Sequence, residues 1–288
     1  MFEKIVLIYK QSPVGADVIS LATYFAVFLI LLKVKSISLV KNWFVPVFAI
    51  YFGLLFATLF AVFLNGNDSS YYLLDKPAWI LILEAFNPLQ PNGRVMYGGY
   101  FGAIFGVWLA NLIFKRKSLP EFLDISAVSI SLLFALWRVN CLFSGCCFGY
   151  PNKFFGIAFP KETNAFYHLQ NTQFVVGNST VPLLPTQLIS AAGDFAVFLF
   201  LLILFCKDKT KYPYFYFFAQ AFLYGLGRFT IEFFRMDPRE FWGPLSMSQW
   251  FSLVLIIAGL VFFIKNRKEI AESFKNPISQ NEKRGGNE

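Results

Sequence analysis

Residues 17–33 read DVISLATYFAVFLILLK, an apolar run that is charged only at its two ends. A helix needs about 20 mostly apolar residues to cross the hydrocarbon core of a membrane, and this run approaches that length. Further apolar segments follow at 43–64, 97–114, 122–143, 186–206, 213–234 and 247–264. The pattern predicts an all-α integral membrane protein with about seven transmembrane helices.

The composition of the whole chain favours the same class. Of the 288 residues, 57% are hydrophobic and only 15% are charged, including 38 phenylalanines among the apolar ones. Soluble domains are about 25% charged, and their charges are spread along the chain. Here the charges cluster between the apolar runs, which argues against a soluble core.

The connections between the segments alternate in charge. Short or terminal basic stretches lie at 33–41, 115–117, 207–211 and from Lys265 onward, and they hold 15 of the 25 lysines and arginines. Basic loops face the cytoplasm, so the N-terminus is predicted outside and the C-terminus inside. The net charge of +8 therefore indicates membrane topology and not nucleic-acid binding.

The predicted organisation is one membrane domain over residues 1–273. Insertions near 65–96 and 144–185 are expected on the periplasmic side. Within the first, residues 79–89 are apolar but too short to span, so they suit an interfacial or re-entrant position. The tail 274–288 lacks apolar anchors and is predicted to be disordered and cytoplasmic.

Two arginines fall inside predicted transmembrane segments. Arg138 lies near the outer end of the fourth segment and Arg228 lies inside the sixth. An arginine in a membrane must be paired or hydrated, so these residues mark a candidate functional site. Guanidinium groups bind phosphate through paired hydrogen bonds and keep their charge when partly desolvated, which favours a phosphate site.

Carboxylates accompany these arginines. Glu232 and Arg235 follow Arg228 by four and seven residues, a spacing that predicts all three on one helix face. The alternative to a functional site is a purely structural role, in which Arg228 and Glu232 form a salt bridge within the helix and Arg235 lies at the membrane interface. In the fifth segment Thr186 is a candidate helix cap. Asp194 lies there inside apolar sequence and is expected to face a polar cavity.

The segment 97–106 reads YGGYFGAIFG, in which Gly98, Gly102 and Gly106 recur every four residues. Such a stripe lets another helix approach closely, and helix packing is the favoured interpretation. The helix is predicted to begin at Tyr97, so its first backbone amides would also suit an anionic group.

Residues 138–151 read RVNCLFSGCCFGYP and place Cys141, Cys146 and Cys147 at the outer end of the fourth segment. Three interpretations remain open: a structural disulfide, a reactive thiolate near Arg138, and a metal site. Metal ligation is the least favoured, because the chain has a single histidine and lacks the usual ligand spacing. We expect no metal and no cofactor.

Five motifs occur in an order that resembles the bacterial prolipoprotein diacylglyceryl transferases. They are YGG at 97–99, RVNC at 138–141, PTQL at 185–188, GRFTIEFFR at 227–235 and LSMSQW at 245–250. The resemblance spans about residues 17–265, and the last two motifs are the most specific. It implies a seven-helix bacterial inner-membrane enzyme that moves the diacylglyceryl group of phosphatidylglycerol, or of another anionic phospholipid, to the lipobox cysteine of a prolipoprotein or to a related acceptor.

The resemblance also assigns roles to residues. Arg228 and Glu232 match an essential arginine and glutamate of the family, and with Tyr97, Cys146 and Asp194 they are the candidate catalytic residues. The residues expected to bind substrate are Arg138, Arg235, Gln187, Gln249, Gly98, Gly99 and Tyr24.

The chain replaces residues of the family pattern at five positions: Tyr97 and Leu184 stand in place of histidines, Cys141 in place of an asparagine, and Cys146 and Ser190 in place of glutamates. In addition, the arginine common in the family's second helix has no counterpart in this chain. The phosphate-facing arginines are therefore kept, while the usual base is lost. The candidate bases are Tyr97, Asp194 and a Cys146 thiolate whose pKa Arg138 would lower.

Two other functions remain open. A membrane thiol oxidoreductase using Cys141, Cys146 and Cys147 would explain the cysteines but leave the arginine pair without a role. A lipid-binding relative or transporter that kept the headgroup site would bind phospholipid without forming any covalent product.

Overall fold

The computed structural model describes Val6 and residues 13–64, 95–116, 118–207, 212–239 and 241–275. Its helices are α1 (Pro13–Val34), α2 (Leu39–Asn42), α3 (Phe44–Leu64), α4 (Met96–Ile113), α5 (Leu119–Ser144), α6 (Asn164–Leu169), α7 (Thr186–Cys206), α8 (Phe215–Ile231), α9 (Met247–Lys265) and α10 (Arg267–Lys275). Two antiparallel ribbons complete the described part, β1 (Val175–Val176) with β2 (Ser179–Thr180) and β3 (Phe241–Trp242) with β4 (Leu245–Ser246).

Six stretches of helix in the described part are long and apolar enough to cross a membrane. They correspond to α1, α3 with the preceding α2, α4, α5, α7 and α9. Helix α8 has 17 residues, a length of about 26 Å, and a 3₁₀ turn over Glu232–Phe234 continues it. The prediction of a mostly helical membrane protein is confirmed.

The chain divides into two compact units. One contains residues 24–126, and the other contains residues 1–23 and 127–288. Helix α10 includes Phe274 and Lys275, the first two residues of the predicted tail. The rest of that tail, most of the insertion near 65–96 and the apolar segment 79–89 lie outside the described residues.

In the smaller unit the glycine stripe of α4 packs directly on the backbone of α3. A Cβ atom added at Gly98, Gly102 or Gly106 would overlap the backbone carbonyl of Phe56, Phe52 or Phe48, respectively. Only a residue without a side chain allows this approach, so the helix-packing interpretation of the stripe is confirmed. The amide of Val95 extends the contact by donating to the carbonyl of Ala57 at 3.0 Å.

In the larger unit an aromatic contact joins α5 to α8. The rings of Phe134 and Tyr224 lie 4.7 Å apart, centre to centre. Each ring stands one helical turn before an arginine, Arg138 in α5 and Arg228 in α8. Because residues four apart lie on the same face of a helix, this contact brings the two guanidinium groups to the same region.

The insertion at 144–185 folds onto the end of α5 around an apolar cluster. Its buried members are Leu142, Phe148, Phe159, Ala165, Leu169 and Leu183. At Gly149 the chain passes so close to Phe234, Leu184 and Thr186 that a Cβ atom would lie within 3 Å of each. The insertion is therefore fixed against the end of α8 and the start of α7.

Candidate active site

A cavity of about 540 Å³ in the larger unit contains both predicted arginines. Arg138 and Arg228 line it from α5 and α8, and only 5% and 8% of their surfaces are exposed. Asp194 and Ser190 line it from α7, so Asp194 faces a cavity, although not the polar one that was expected. Most of the remaining wall is apolar, so the arginines carry positive charge into a largely hydrophobic space.

Glu232 is the centre of a charged cluster next to this cavity. Its Oε2 atom lies 2.8 Å from Nη1 of Arg228 and 3.0 Å from Nη1 of Arg235, while its Oε1 atom lies 3.0 Å from Nη1 of Arg239. The glutamate is 2% exposed. One buried carboxylate thus holds three guanidinium groups in fixed positions.

The expectation that Arg228, Glu232 and Arg235 share one helix face is wrong. Helix α8 ends at Ile231, Glu232 begins the 3₁₀ turn, and Arg235 has an extended backbone beyond it. The tighter turn and the bend after it, rather than helical periodicity, bring Arg235 back to Glu232 at i+3.

A second carboxylate orients Arg235. Asp237 accepts a hydrogen bond from Nε of Arg235 at 2.9 Å and another from Nη2 at 2.6 Å. Two parallel bonds of this kind fix the plane of a guanidinium as well as its position. Burial raises the pKa of the Asp237 carboxyl above its ordinary value, and the charge of Arg235 opposes that rise.

The start of α9 contributes neutral groups to the cluster. The Ser246 hydroxyl donates to Oε1 of Glu232 at 2.9 Å, and Nη2 of Arg228 donates to the Ser248 hydroxyl at 3.1 Å. Gln249 forms a reciprocal cap with Ser246, accepting from its amide at 2.9 Å. The Gln249 side-chain oxygen therefore fixes the start of α9, and its role in substrate binding stays a prediction.

The three cysteines converge although they are spread over seven residues. All three sulfur atoms lie within 4.8 Å of one another and stand as free thiols. Gly145 and Cys147 adopt left-handed backbone conformations, with φ of 71° and 59°, and these fold the chain back on the end of α5. For a residue with a side chain this conformation costs about 1–2 kcal/mol, so the surrounding contacts must impose it.

Of the three thiols, Cys147 and not Cys146 is the one that favours the thiolate. Hydrogen bonds from the Cys141 and Cys146 thiols, followed by the charges of Arg235 and Arg138, hold the pKa of Cys147 well below its ordinary value. Its sulfur lies 4.0 Å from Nη1 of Arg138. Hydrogen bonds with Cys141 and Cys147 raise the pKa of Cys146, which is opposite to the direction expected for a Cys146 thiolate. A catalytic role for Cys146 stays a prediction.

The first residues of α7 hold this cysteine turn in place. The Thr186 hydroxyl donates to the carbonyl of Cys147, and Nε2 of Gln187 donates to the carbonyl of Cys146 at 2.6 Å. Thr186 was predicted to cap the helix, but Pro185 occupies the cap position and makes no side-chain cap bond. The threonine hydroxyl serves the neighbouring loop instead.

Four predicted site residues belong to the smaller unit. Tyr24 hydrogen-bonds Ser126 at 2.9 Å and is 2% exposed. Tyr97, Gly98 and Gly99 form the first turn of α4 and are buried. Close packing on α3 accounts for Gly98, and the catalytic or binding roles of the four stay predictions.

The sequence profile of the prolipoprotein diacylglyceryl transferase family matches residues 17–265. The chain belongs to this family. It is 36% identical over 186 residues to phosphatidylglycerol–prolipoprotein diacylglyceryl transferase 2 of Clostridium perfringens, a match that covers 63% of this chain and 67% of the relative. A transferase of Clostridium tetani is 34% identical over 175 residues, covering 60% of this chain and 64% of that protein, just under two thirds. One of Cupriavidus metallidurans is 29% identical over 220 residues, with 73% of each covered.

In this member of the prolipoprotein diacylglyceryl transferase family, sequence reasoning missed four residues of the charged cluster around Glu232. They are Asp237, Arg239, Ser246 and Ser248. Arg239 adds three backbone contacts to its ion pair, donating to the carbonyls of Glu232, Arg235 and Asp237. The charged run from Arg235 to Arg239, directly after the sixth apolar segment, was the available signal.

Proposed function

We propose that this chain transfers the diacylglyceryl group of phosphatidylglycerol, or of a related anionic phospholipid, to the lipobox cysteine of a prolipoprotein or to a similar thiol. The carrying observation is that Arg138 and Arg228, from two helices, are buried in one cavity with a mostly apolar wall. Family membership and the names of the relatives point to the same reaction.

The arginines suit the phosphate of the donor lipid. Glu232 and Ser248 hold Nη1 and Nη2 of Arg228, and the same arginine lines the cavity. The site contains four arginines against the carboxylates of Asp194, Glu232 and Asp237. Arg138 and Arg228, which line the cavity itself, attract an anionic headgroup, and a low local dielectric strengthens each contact.

The apolar part of the cavity suits the acyl chains of the same lipid. Its wall includes Leu184, Ile189, Val197, Leu223, Leu226, Ile231 and Phe234. Helix α7 also exposes large apolar side chains outside the cavity, among them Phe195 and Phe200, as expected for a surface facing lipid. A ligand that is anionic at one end and apolar at the other matches both parts.

In the reaction the acceptor sulfur attacks the diacylglyceryl carbon that carries the phosphate. The carbon–oxygen bond breaks, and glycerol phosphate leaves with the electron pair. Arg138 and Arg228 stabilise the charge on the leaving phosphate, and Glu232 positions Arg228. The acceptor thiol must lose its proton, for which Asp194 and Tyr97 are the proposed bases; Asp194 lines the cavity.

Other residues are proposed to bind substrate. Oε1 of Gln187 is buried and has no hydrogen-bond partner among the described residues, so it offers an acceptor to a bound ligand. Arg235 lies against Glu232 and adds positive charge beside Arg228. Gln249, Gly98, Gly99 and Tyr24 are proposed on the family resemblance.

The proposed membrane arrangement has seven spans, with α8 and its 3₁₀ extension as the sixth. The N-terminus lies outside and the C-terminus lies in the cytoplasm, because the basic connections then face inward. Residues 1–273 form one membrane domain of the bacterial inner membrane, followed by a cytoplasmic tail.

The test is mass spectrometry of a lipobox-cysteine peptide incubated with purified protein and phosphatidylglycerol in detergent. We expect a diacylglyceryl mass increment with the wild type. Arg228→Ala should lower the rate by about 10²–10³-fold, the usual loss when one transition-state donor is removed. Arg228→Lys should also be impaired, since it keeps the charge but not the paired hydrogen bonds.

Arg267→Ala is the matched control, because Arg267 is exposed on α10 and should not affect the rate. Normal turnover in folded Arg228→Ala would remove the cavity from the mechanism. An unmodified peptide with folded wild-type protein would refute the transfer reaction for this chain.

A further inference from the structure

The proposed reaction leaves a chemical question, and the inference below rests on that reaction. Alkylation of the acceptor sulfur requires a thiolate, yet Tyr97 stands where the family has a histidine. At two further family positions, an asparagine and a glutamate, this chain has Cys141 and Cys146. Each of these two replacements introduces a sulfur atom, and Cys147 adds a third.

The three sulfurs have the geometry of a metal-ligand set. All lie within 4.8 Å of one another. Tetrahedral zinc with bonds of about 2.3 Å separates two thiolate ligands by about 3.8 Å, so small side-chain rotations complete the arrangement. The ligand spacing in sequence did not indicate this, because the left-handed turn at Gly145 and Cys147 creates the cluster in space.

The turn is held in place independently of any ion. Thr186 and Gln187 bind the carbonyls of Cys147 and Cys146, and the Ser144 hydroxyl donates to the carbonyl of Asn140 at 2.8 Å. A strained backbone at Cys147 that is fixed from several sides is typical of a functional position.

The surrounding charge suits a thiolate complex. Three thiolates around a divalent cation carry one net negative charge, and a fourth thiolate adds another. Arg138 approaches the Cys147 sulfur to 4.0 Å. This guanidinium group offsets part of the negative charge of the complex.

The set has three protein ligands in the described part of the chain, and no fourth histidine, cysteine or carboxylate joins it there. Zinc sites with three protein ligands are typically catalytic and keep one position for water or substrate. Structural zinc sites are closed by a fourth protein ligand. The number of protein ligands therefore favours a catalytic metal site over a purely structural one.

We propose that Cys141, Cys146 and Cys147 bind a thiophilic divalent cation, Zn²⁺, whose fourth position takes the acceptor cysteine of the lipoprotein substrate. Binding to the cation makes the acceptor thiol more acidic, its proton passes to Asp194 or Tyr97, the bases proposed above, and the bound thiolate attacks the diacylglyceryl carbon. A sulfur–carbon bond forms, the carbon–oxygen bond to phosphate breaks, and glycerol phosphate leaves with the electron pair. The thioether product is a weaker ligand and departs.

The first measurement is metal binding by the purified full chain, independent of turnover. Zinc content by mass spectrometry should be one ion per chain, and Co²⁺ in its place should give thiolate charge-transfer absorption. Serine substitution at Cys141, Cys146 or Cys147 should weaken Zn²⁺ affinity at least tenfold. Cys206→Ser is the control with unchanged affinity, because Cys206 is exposed at the end of α7.

A second variant distinguishes loss of the metal from misfolding of the serine variants. Cys141→Asn with Cys146→Glu restores the residues of the family pattern and should fold while losing the ion. Wild-type affinity in that double variant, or an absence of Zn²⁺ and Co²⁺ binding by the wild type, would overturn the proposal.

Binding of the acceptor cysteine at the fourth coordination position can be measured separately from metal binding. Adding a lipobox-cysteine peptide to the Co²⁺ protein should change the absorption spectrum, and the same peptide with serine for cysteine should not. An identical response to both peptides would overturn acceptor binding. Diacylglyceryl transfer that continues without any bound metal would refute this inference but leave the proposed function intact. Metal and peptide binding without product would instead refute the transfer reaction.

Discussion

The glycine-packed pair of α3 and α4 and the charged cluster around Glu232 are both buried, but they are stabilised in opposite ways. In the pair, backbone approaches backbone, and the carbonyls of Phe48, Phe52 and Phe56 fill the space where side chains would stand. In the cluster, three guanidinium groups meet one carboxylate. The helix pair depends on the absence of side-chain atoms at its glycines, and the cluster depends on the negative charge of Glu232.

This difference determines how each region responds to change. Packing contacts are short-ranged, so a substitution in the stripe acts where it is made. The cluster shares one carboxylate among Arg228, Arg235 and Arg239, so a single substitution at Glu232 disturbs all three. We therefore expect damage to the cluster to exceed damage to the stripe.

The largest effect is expected for Glu232→Gln, which keeps the shape of the side chain and removes its charge. Three buried or half-buried arginines then lose the carboxylate that they share, while Arg235 keeps its pair with Asp237. Breaking a buried ion pair destabilises by about 3–5 kcal/mol. Thermal unfolding in detergent should show the loss, and the peptide-transfer rate should fall with it.

Asp237→Asn is the matched comparison for this variant. Asp237 pairs with Arg235 alone among the cluster arginines that bind Glu232, so its loss should be the smaller one. Equal melting temperatures for Glu232→Gln and the wild type would show that the cluster does not depend on this charge.

An intermediate effect is expected for Gly102→Ala in the glycine stripe. The new methyl group would overlap the carbonyl of Phe52 and lie 2.7 Å from Cβ of Phe56. Overpacking of this kind typically costs about 1–3 kcal/mol, even though alanine is the better helix former. The melting temperature in detergent is the measurement.

Gly193→Ala is the control, since the space around Gly193 in α7 is open within 4 Å. Its melting temperature should be unchanged or slightly higher. If Gly102→Ala were as stable as the wild type, the two helices would not depend on the close approach.

The smallest effect is expected for Thr186→Val, which removes one neutral hydrogen bond to the Cys147 carbonyl and keeps the side-chain shape. A single bond of this kind contributes about 1 kcal/mol. Zn²⁺ affinity measured by calorimetry should fall about fivefold, the equivalent of that energy. Thr172→Val removes a comparable bond to Leu169 in the insertion and should leave the affinity unchanged.

The sequence predicted the features that depend on residues close together in the chain, because such features leave a local pattern. The limits 186–206 of α7 were predicted correctly, because a long apolar run determines its own helix. The stripe was predicted because Gly98, Gly102 and Gly106 follow the period of a helix. Arg138, Asp194 and Arg228 were singled out because charge in an apolar run needs an explanation, and all three line one cavity.

The remaining features depend on contacts between distant parts of the chain. Arg239 reaches Glu232 only because the backbone bends after the 3₁₀ turn, and no local pattern specifies that bend. Cys147 has a positive φ that its own residue type disfavours, so the turn that gathers the sulfurs could not be predicted from propensity. Contacts made by Thr186 and Gln187, some 40 positions later, impose it.

The meeting of the three sulfurs also constrains how this chain can have diverged. A site that needs Cys141, Cys146 and Cys147 together gains nothing from one or two of them, so selection acts on the set. Among relatives, these cysteines should be inherited together, and in lineages that lack them a histidine should occupy position 97. Cys206, remote from that selection, should vary independently of all three.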